Sequence, residues 1–297
     1  MRVPDISVVM ATHNPGSIVQ KCLESLQQQL LFSKAELIVA DCSTDGTDEI
    51  IRTQFPRVKL LHFPRPMGLP ELIREAMRRA QGRVVAVTEP YCLFPRDWMS
   101  KLLQAHESDF AVIGGAVENG RPNGLVSWAC YFADYGAFML PAQRQATDVL
   151  AGNHVSYKRG VIEEARDSIK DGYYKTFFHW DLERRGVGFL FNPALVLYYA
   201  RSNTFWKFCR RYFQHGWFFA ALRSRRMSAA ARFLRLVTIP ALPPLLLYRR
   251  LQAAFGKKRH RAKLLLSIPL LLVFVTVWTG GEWMGYLLAR SPREVYR

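Results

Sequence analysis

The sequence predicts an α/β fold, a mixed sheet with helices on both faces, followed by C-terminal helices that associate with a membrane. Three observations lead there. Short β-branched runs alternate with longer helical patterns from Ile6 to about Ala111, as in parallel sheets with crossover helices. Residues 112–196 continue as mixed strands and helices, and after Arg201 the composition turns to basic clusters between apolar runs. A length of 297 residues suits one sizeable core plus an appendage, and the expected division is 1–220 and 221–297.

Strands are expected at Ile6–Ala11, Glu36–Ala40, Val58–His62 and Arg83–Thr88, with helices at about Gly16–Gln29, Thr47–Gln54 and Leu69–Arg79. Each helix opens on a Pro, Gly, Ser, Thr or Asp suited to a helix entrance. Ligands of such sheets bind beyond the carboxyl ends of the strands, so the loops Thr12–Gly16, Asp41–Gly46 and Glu89–Cys92 are expected to line one crevice. Further on, Gly114 and Gly115 mark an edge, and a helix at about Lys175–Arg185 is stopped by Gly186.

In the C-terminal region the run 236–248 has 13 residues and contains Pro240, Pro243 and Pro244. At ~1.5 Å per residue it falls short of a ~30 Å hydrocarbon core, which predicts an interfacial or re-entrant segment. The run 264–288 reaches 18 residues before its first charge, Glu282, the lower limit for a transmembrane helix, with Glu282 expected near an interface. Lys and Arg on both sides of the shorter run place its ends, and the N-terminal domain, on the cytoplasmic face of the membrane. The alternative is that both runs are buried helices of a soluble protein. The opening Met-Arg-Val-Pro-Asp predicts no secretory signal.

Lys and Arg number 41 against 24 Asp and Glu, a net charge of +17 that favours phosphate-bearing partners. No nucleic-acid recognition motif accompanies it, and the charge clusters beside apolar runs, so anionic membrane lipid is the expected partner and nucleic acid is not. The five cysteines form no CxxC pair, which argues against a disulfide framework or a zinc site and for a reducing compartment.

Ile6-Ser-Val-Val-Met-Ala-Thr-His-Asn, followed by Ala40-Asp-Cys-Ser-Thr-Asp-Gly-Thr, resembles the opening of the inverting glycosyltransferase family 2. Gly82-Arg-Val-Val-Ala-Val-Thr-Glu and Pro95-Arg-Asp-Trp-Met resemble the strand and turn of its acidic metal motif. Gly152-Asn153 and Leu182-Glu-Arg-Arg-Gly-Val-Gly-Phe resemble its acceptor half, which makes Asn153 and Trp180 acceptor-side candidates. The resemblance covers about residues 5–220. It implies a GT-A fold, a UDP- or GDP-sugar donor, Mg or Mn, and a lipid-linked, glycan or other membrane-proximal acceptor.

Thr12 and Asn14 offer neutral hydrogen bonds to a base or ribose, and Asp41 can accept from a uracil N–H or a ribose hydroxyl; ordinary turns and an N-cap are the alternative. Arg74 or Arg65 is expected on the nucleotide.

The sequence also departs from the family. A metal motif needs two ligands two residues apart, yet Thr88-Glu89-Pro90-Tyr91-Cys92 keeps only Glu89 as a hard oxygen ligand. The place of the acidic base holds Tyr174-Lys175-Thr176, and Lys175 needs a strongly lowered pKa to accept a proton near pH 7. His179, one turn on, is the expected substitute, with Asp181 as second candidate and a core histidine as the alternative. Arg211 and His215, four residues apart, are expected to neutralise a diphosphate without metal. The alternative there is an interfacial helix with Trp206, Phe213 and Trp217 against lipid. Two functional readings follow: a membrane-associated glycosyltransferase, or a non-catalytic relative that binds nucleotide or a partner transferase.

Overall fold

The computed structural model describes residues 3–289, in two compact units: residues 3–120 with 140–201, and residues 121–139 with 202–289. The first unit opens with β1 (Ile6–Thr12), α1 (Ile18–Gln27), β2 (Ala35–Asp41), α2 (Thr47–Gln54), β3 (Val58–His62), α3 (Leu69–Arg78) and β4 (Val84–Thr88). These boundaries lie within two residues of those expected. The strands are parallel in the order β3-β2-β1-β4. β1 and β4 are buried along their whole length, as strands covered on both faces must be, which is why they read as unbroken apolar runs.

The sheet continues through β5 (Cys92–Leu93), α4 (Trp98–Ala105), β6 (Val112–Asn119), β7 (Gln145–Thr147), β8 (Val155–Lys158), the short helix Arg159–Glu164, the helix Lys175–Arg184 and β9 (Phe189–Tyr199). β8 runs antiparallel to both β4 and β6, and β9 runs parallel to β6. The carboxyl ends of β4, β6 and β9 therefore share one edge of the sheet with those of β1 and β2. β5 pairs antiparallel with the end of β9, matching Cys92 with Tyr199. The helix Lys175–Arg184 stops at Gly186, whose φ of 77° is the left-handed value expected after a helix end.

In the second unit lie five helices: α5 (Gly124–Tyr135), followed, with the two short helices above counted as α6 and α7, by α8 (Phe205–Ser224), α9 (Ala229–Thr238), α10 (Leu242–Gly256) and α11 (Arg261–Leu288). Residue 220, the expected domain boundary, falls inside α8. The proline-rich run lies within a helical stretch longer than its own 13 residues. Pro240 and Pro243 sit in the first turns of a 3₁₀ turn and of α10, where a missing N–H leaves no intrahelical bond unmade, so α9 and α10 join into a 28-residue helical stretch, Ala229–Gly256. That stretch and α11 are each long and apolar enough to cross a membrane, with mean hydropathy 1.4 and 2.1.

α8 and α11 cross closely through glycines. A β-carbon at Gly216 would fall on the Trp278 carbonyl oxygen, one at Gly281 on that of Phe213, and one at Gly285 on that of Trp217. Small residues at such a seam let two backbones touch. Glu282, in the same stretch, is buried, and its carboxylate accepts from Trp278 Nε1 (3.3 Å) and the Tyr286 hydroxyl (3.1 Å). All five cysteines are buried and unpaired with one another.

Candidate active site

The loops after β1 and β2 interlock at the carboxyl edge of the sheet. Asp41 is fully buried: Oδ1 accepts from the Thr12 hydroxyl (2.7 Å) and the Ser43 hydroxyl (2.5 Å), while Oδ2 accepts from the Ser43 N–H (3.1 Å) and faces His62 Nδ1 (2.7 Å). These contacts use its four lone-pair positions. Asp41 thus holds the two loops together, with Thr12, also buried, as its partner, at the edge where its contact with a base or ribose is expected. Asn14 closes the same lock, its Oδ1 accepting from the Thr44 N–H (2.8 Å) while its own N–H donates to Ser43 Oγ (2.8 Å). Asp41→Ala strands several buried donors at once and should lower the stability of this unit by about 3 kcal/mol. Chemical denaturation of the variant checks this, and a change below about 1 kcal/mol contradicts the lock.

Glu89 follows β4 and opens a tight turn. Its carbonyl accepts from the Cys92 N–H (3.2 Å), and the Tyr91 carbonyl accepts from the Ala200 N–H (2.8 Å), just past β9. The Tyr91 ring meets Tyr199 edge-on (6.4 Å between centroids), and the Arg201 guanidinium stacks over it at 4.4 Å. On the other side Asn153, 1% exposed, donates to Cys92 Sγ (3.5 Å). Asn153 thus braces the turn from within through its amide nitrogen. Burial, with the Glu89 charge beside it, pushes the Cys92 thiol up to about 12, so it is no thiolate ligand near neutral pH.

These residues do not fit a divalent cation. Glu89 is one carboxylate, its neighbour two residues on is a neutral tyrosine, and that tyrosine carries a guanidinium on its face. Among the described residues no group of three or more His, Cys, Asp or Glu could hold a metal ion.

α7 places the expected base elsewhere. His179 is 2% exposed, with Nε2 against the Tyr157 hydroxyl (2.7 Å), which in turn meets the Tyr173 hydroxyl (2.7 Å). Burial, assisted by the Lys175 charge, drives His179 down to about 2. It is a core residue out of an acceptor's reach, which corrects its assignment as base. Lys175 donates to the Leu150 carbonyl (2.8 Å), and burial, opposed by Glu183, lowers it to about 8. Asp181 pairs with Arg184 one turn along, and half-buried Trp180 packs edge-on against Phe177 (5.3 Å).

The basic candidates scatter too. Arg74 is engaged by Glu75 (2.9 Å) and the Lys170 carbonyl (2.6 Å), and Arg65 lies exposed in the loop after β3. Arg211, in the second unit, is paired with Asp134 (2.7 Å) and lies over Phe208 (4.7 Å), contacts within that unit. His215 is exposed on α8, edge-on to Trp278 (6.4 Å). Arg201 escaped the sequence reading. Its only signal there was a cation just past a strand end, 110 residues from the tyrosine that fills an acidic position.

Comparison with known proteins agrees with this architecture. The chain is similar to Glycosyltransferase AglE of Haloferax volcanii, 27% identical over 128 residues, covering 41% of this chain and 42% of that protein. It is also similar to Succinoglycan biosynthesis protein ExoO of Rhizobium meliloti, 27% identical over 119 residues, 40% of this chain and 34% of that one. The matched segments thus span roughly two fifths or less of these relatives' length. Among solved structures, a mannosyltransferase of Pyrobaculum calidifontis in complex with GDP-Man and Mn²⁺ shares the fold, with a TM-score of 0.58 and 20% identity over 97% of this chain and 86% of that one. The glycosyl transferase family 2 model matches residues 7–166, more than half of the sequence. The chain accordingly belongs to glycosyl transferase family 2.

Proposed function

We propose that the chain transfers a sugar from a UDP- or GDP-sugar to a lipid-linked or other membrane-proximal acceptor, with inversion at the sugar. The observation that carries this reading is the interlocked pair of loops at the carboxyl edge of β1 and β2, with the Glu89 turn at the end of β4 on the same edge. That edge is where open α/β sheets take nucleotides. The GDP-Man in the Pyrobaculum relative supports a nucleotide-sugar donor. The acceptor hydroxyl oxygen bonds to the anomeric carbon as the bond to the diphosphate breaks, the hydroxyl proton passes to solvent water or the departing diphosphate, and Glu89 accepts hydrogen bonds from donor hydroxyls.

The membrane reading rests on Phe233, Leu234, Val237 and Tyr248, all exposed beside Arg232, Arg235 and Arg249. Apolar side chains interleaved with cations suit an anionic membrane surface. The cytoplasmic face is our reading of these basic flanks for a stretch that lies along the membrane surface, with both of its ends on one side. Among the described residues, divalent Mg or Mn finds Glu89 and no group of three or more carboxylate, His or Cys ligands.

Radiolabelled UDP- and GDP-sugars incubated with the purified full chain and a membrane lipid extract test the proposal. Transfer to lipid is expected, and Glu89→Ala should reduce it by about 100-fold or more. One observation favours a second reading, a non-catalytic relative that binds nucleotide or a partner transferase: the place of the family's acidic base holds Lys175, bonded to a carbonyl. Nucleotide binding without transfer or donor hydrolysis would replace the first reading by the second.

A further inference from the structure

We propose that Arg201 is the residue that binds the donor's diphosphate, supplying from the protein the positive charge that a divalent ion would bring. The proposal rests on the reading of this edge as a nucleotide-sugar site. Three independent features put Arg201 there. The topology brings the end of β9 to the same edge as the end of β4. The Tyr91 carbonyl and the Ala200 N–H then join the two ends at 2.8 Å, with Cys92 and Tyr199 in register. Finally, the guanidinium carbon lies over the ring of Tyr91, two residues past Glu89, at 4.4 Å from its centroid.

Each feature has a chemical sense. Tyr91 stands where a second carboxylate would complete a metal site, and an aromatic face in that place seats a cation instead. A guanidinium is always charged and offers a fork of N–H donors that matches phosphate oxygens. A carboxylate just past β4 and a cation just past β9 then belong to the same edge of the sheet, the first suited to sugar hydroxyls and the second to phosphate. When the bond between anomeric carbon and phosphate oxygen breaks, its electron pair stays on the nucleoside diphosphate, and Arg201 stabilises that charge without gaining or losing a proton.

Calorimetric titration of the full chain in detergent with UDP, GDP, uridine and guanosine, each with and without Mn²⁺, tests the assignment. The wild-type protein is expected to bind one of the diphosphates with an affinity that Mn²⁺ changes by no more than about twofold. Arg201→Gln should weaken that diphosphate by about tenfold or more while the matching nucleoside changes by less than about twofold, and Arg201→Lys should recover part of the loss. Retained nucleoside binding shows that the variant is folded. Equal diphosphate affinity in wild type and Arg201→Gln overturns the assignment and leaves the proposed function standing. So does a tightening of about tenfold or more by Mn²⁺ in the wild type. A wild-type chain that binds none of the four ligands overturns both.

Discussion

Acidification from pH 7 to pH 5 should lower the melting temperature of the sheet unit by roughly 10–20 °C. Three buried neutral histidines cause this. Burial, with the Lys158 charge nearby, lowers His106 to about 4; burial, opposed by hydrogen bonds to the Ala116 and Gly115 backbone, lowers His154 to about 4; His179 lies at about 2. Their hydrogen bonds belong to the neutral ring. His154 Nε2 accepts from Trp98 Nε1 at 2.8 Å, so a proton there displaces a buried bond. In the unfolded chain each titrates near ~6.5. Above that value both states are neutral and the full stability is present. As pH falls below it, the unfolded chain binds protons that the folded chain refuses, and stability drains away until the folded values are reached. By pH 5 each histidine costs up to about 2 kcal/mol, large against a total of about 5–15 kcal/mol. Most carboxylates titrate lower, so the window from pH 6.5 to 5 isolates the histidines. Melting curves across it check the prediction, and a midpoint that stays flat to pH 5 contradicts it.

A single methyl group at position 281 should be enough to unseat α11 from α8. The β-carbon of Gly281→Ala lands on the Phe213 backbone oxygen, which no rotamer can relieve, so the helices must part along a seam that also contains Gly216 and Gly285. Overpacking of this kind costs about 3 kcal/mol or more when the obstacle is backbone. The neighbouring position is the control. At Gly280 a β-carbon meets only Phe213 ring atoms, at 3.7 and 3.9 Å, an ordinary contact. Gly280→Ala should therefore melt like wild type in detergent while Gly281→Ala loses protease resistance and melts well below it. Equal melting of the two variants would remove the seam as the organising contact of this unit.

What the sequence disclosed and withheld follows from the range of the interactions. β1 through β4 and their helices were legible because each buried strand is a local apolar run and each helix announces its entrance with a local residue. The helical continuity of the proline-rich run was hidden for the opposite reason. Pro240 and Pro243 look like breaks in a window of sequence, but at the first turns of new helices they leave no bond unmade. The site was legible as loops and illegible as chemistry. Asp41 draws partners from β1 and β3 as well as its own loop, and nothing in residues 40–47 shows that its acceptor capacity is already full. His179 and Lys175 share a helix face by spacing, yet the buried Tyr157 hydroxyl decides that the histidine points into the core. Arg201 meets Tyr91 only because an antiparallel pair of residues, Cys92 and Tyr199, closes the far side of the sheet.

The burial of every native thiol makes this chain a silent background for chemical mapping. Cys22, Cys42, Cys92, Cys130 and Cys209 are all buried, and desolvation raises each of them above the ordinary thiol value, which suppresses the reactive thiolate. A cysteine introduced on an exposed position such as Leu234 or Trp283 would then be the accessible thiol in the folded protein. Membrane-impermeant maleimides applied to either side of a sealed vesicle would read the depth and orientation of α9, α10 and α11 residue by residue, with no prior removal of native cysteines.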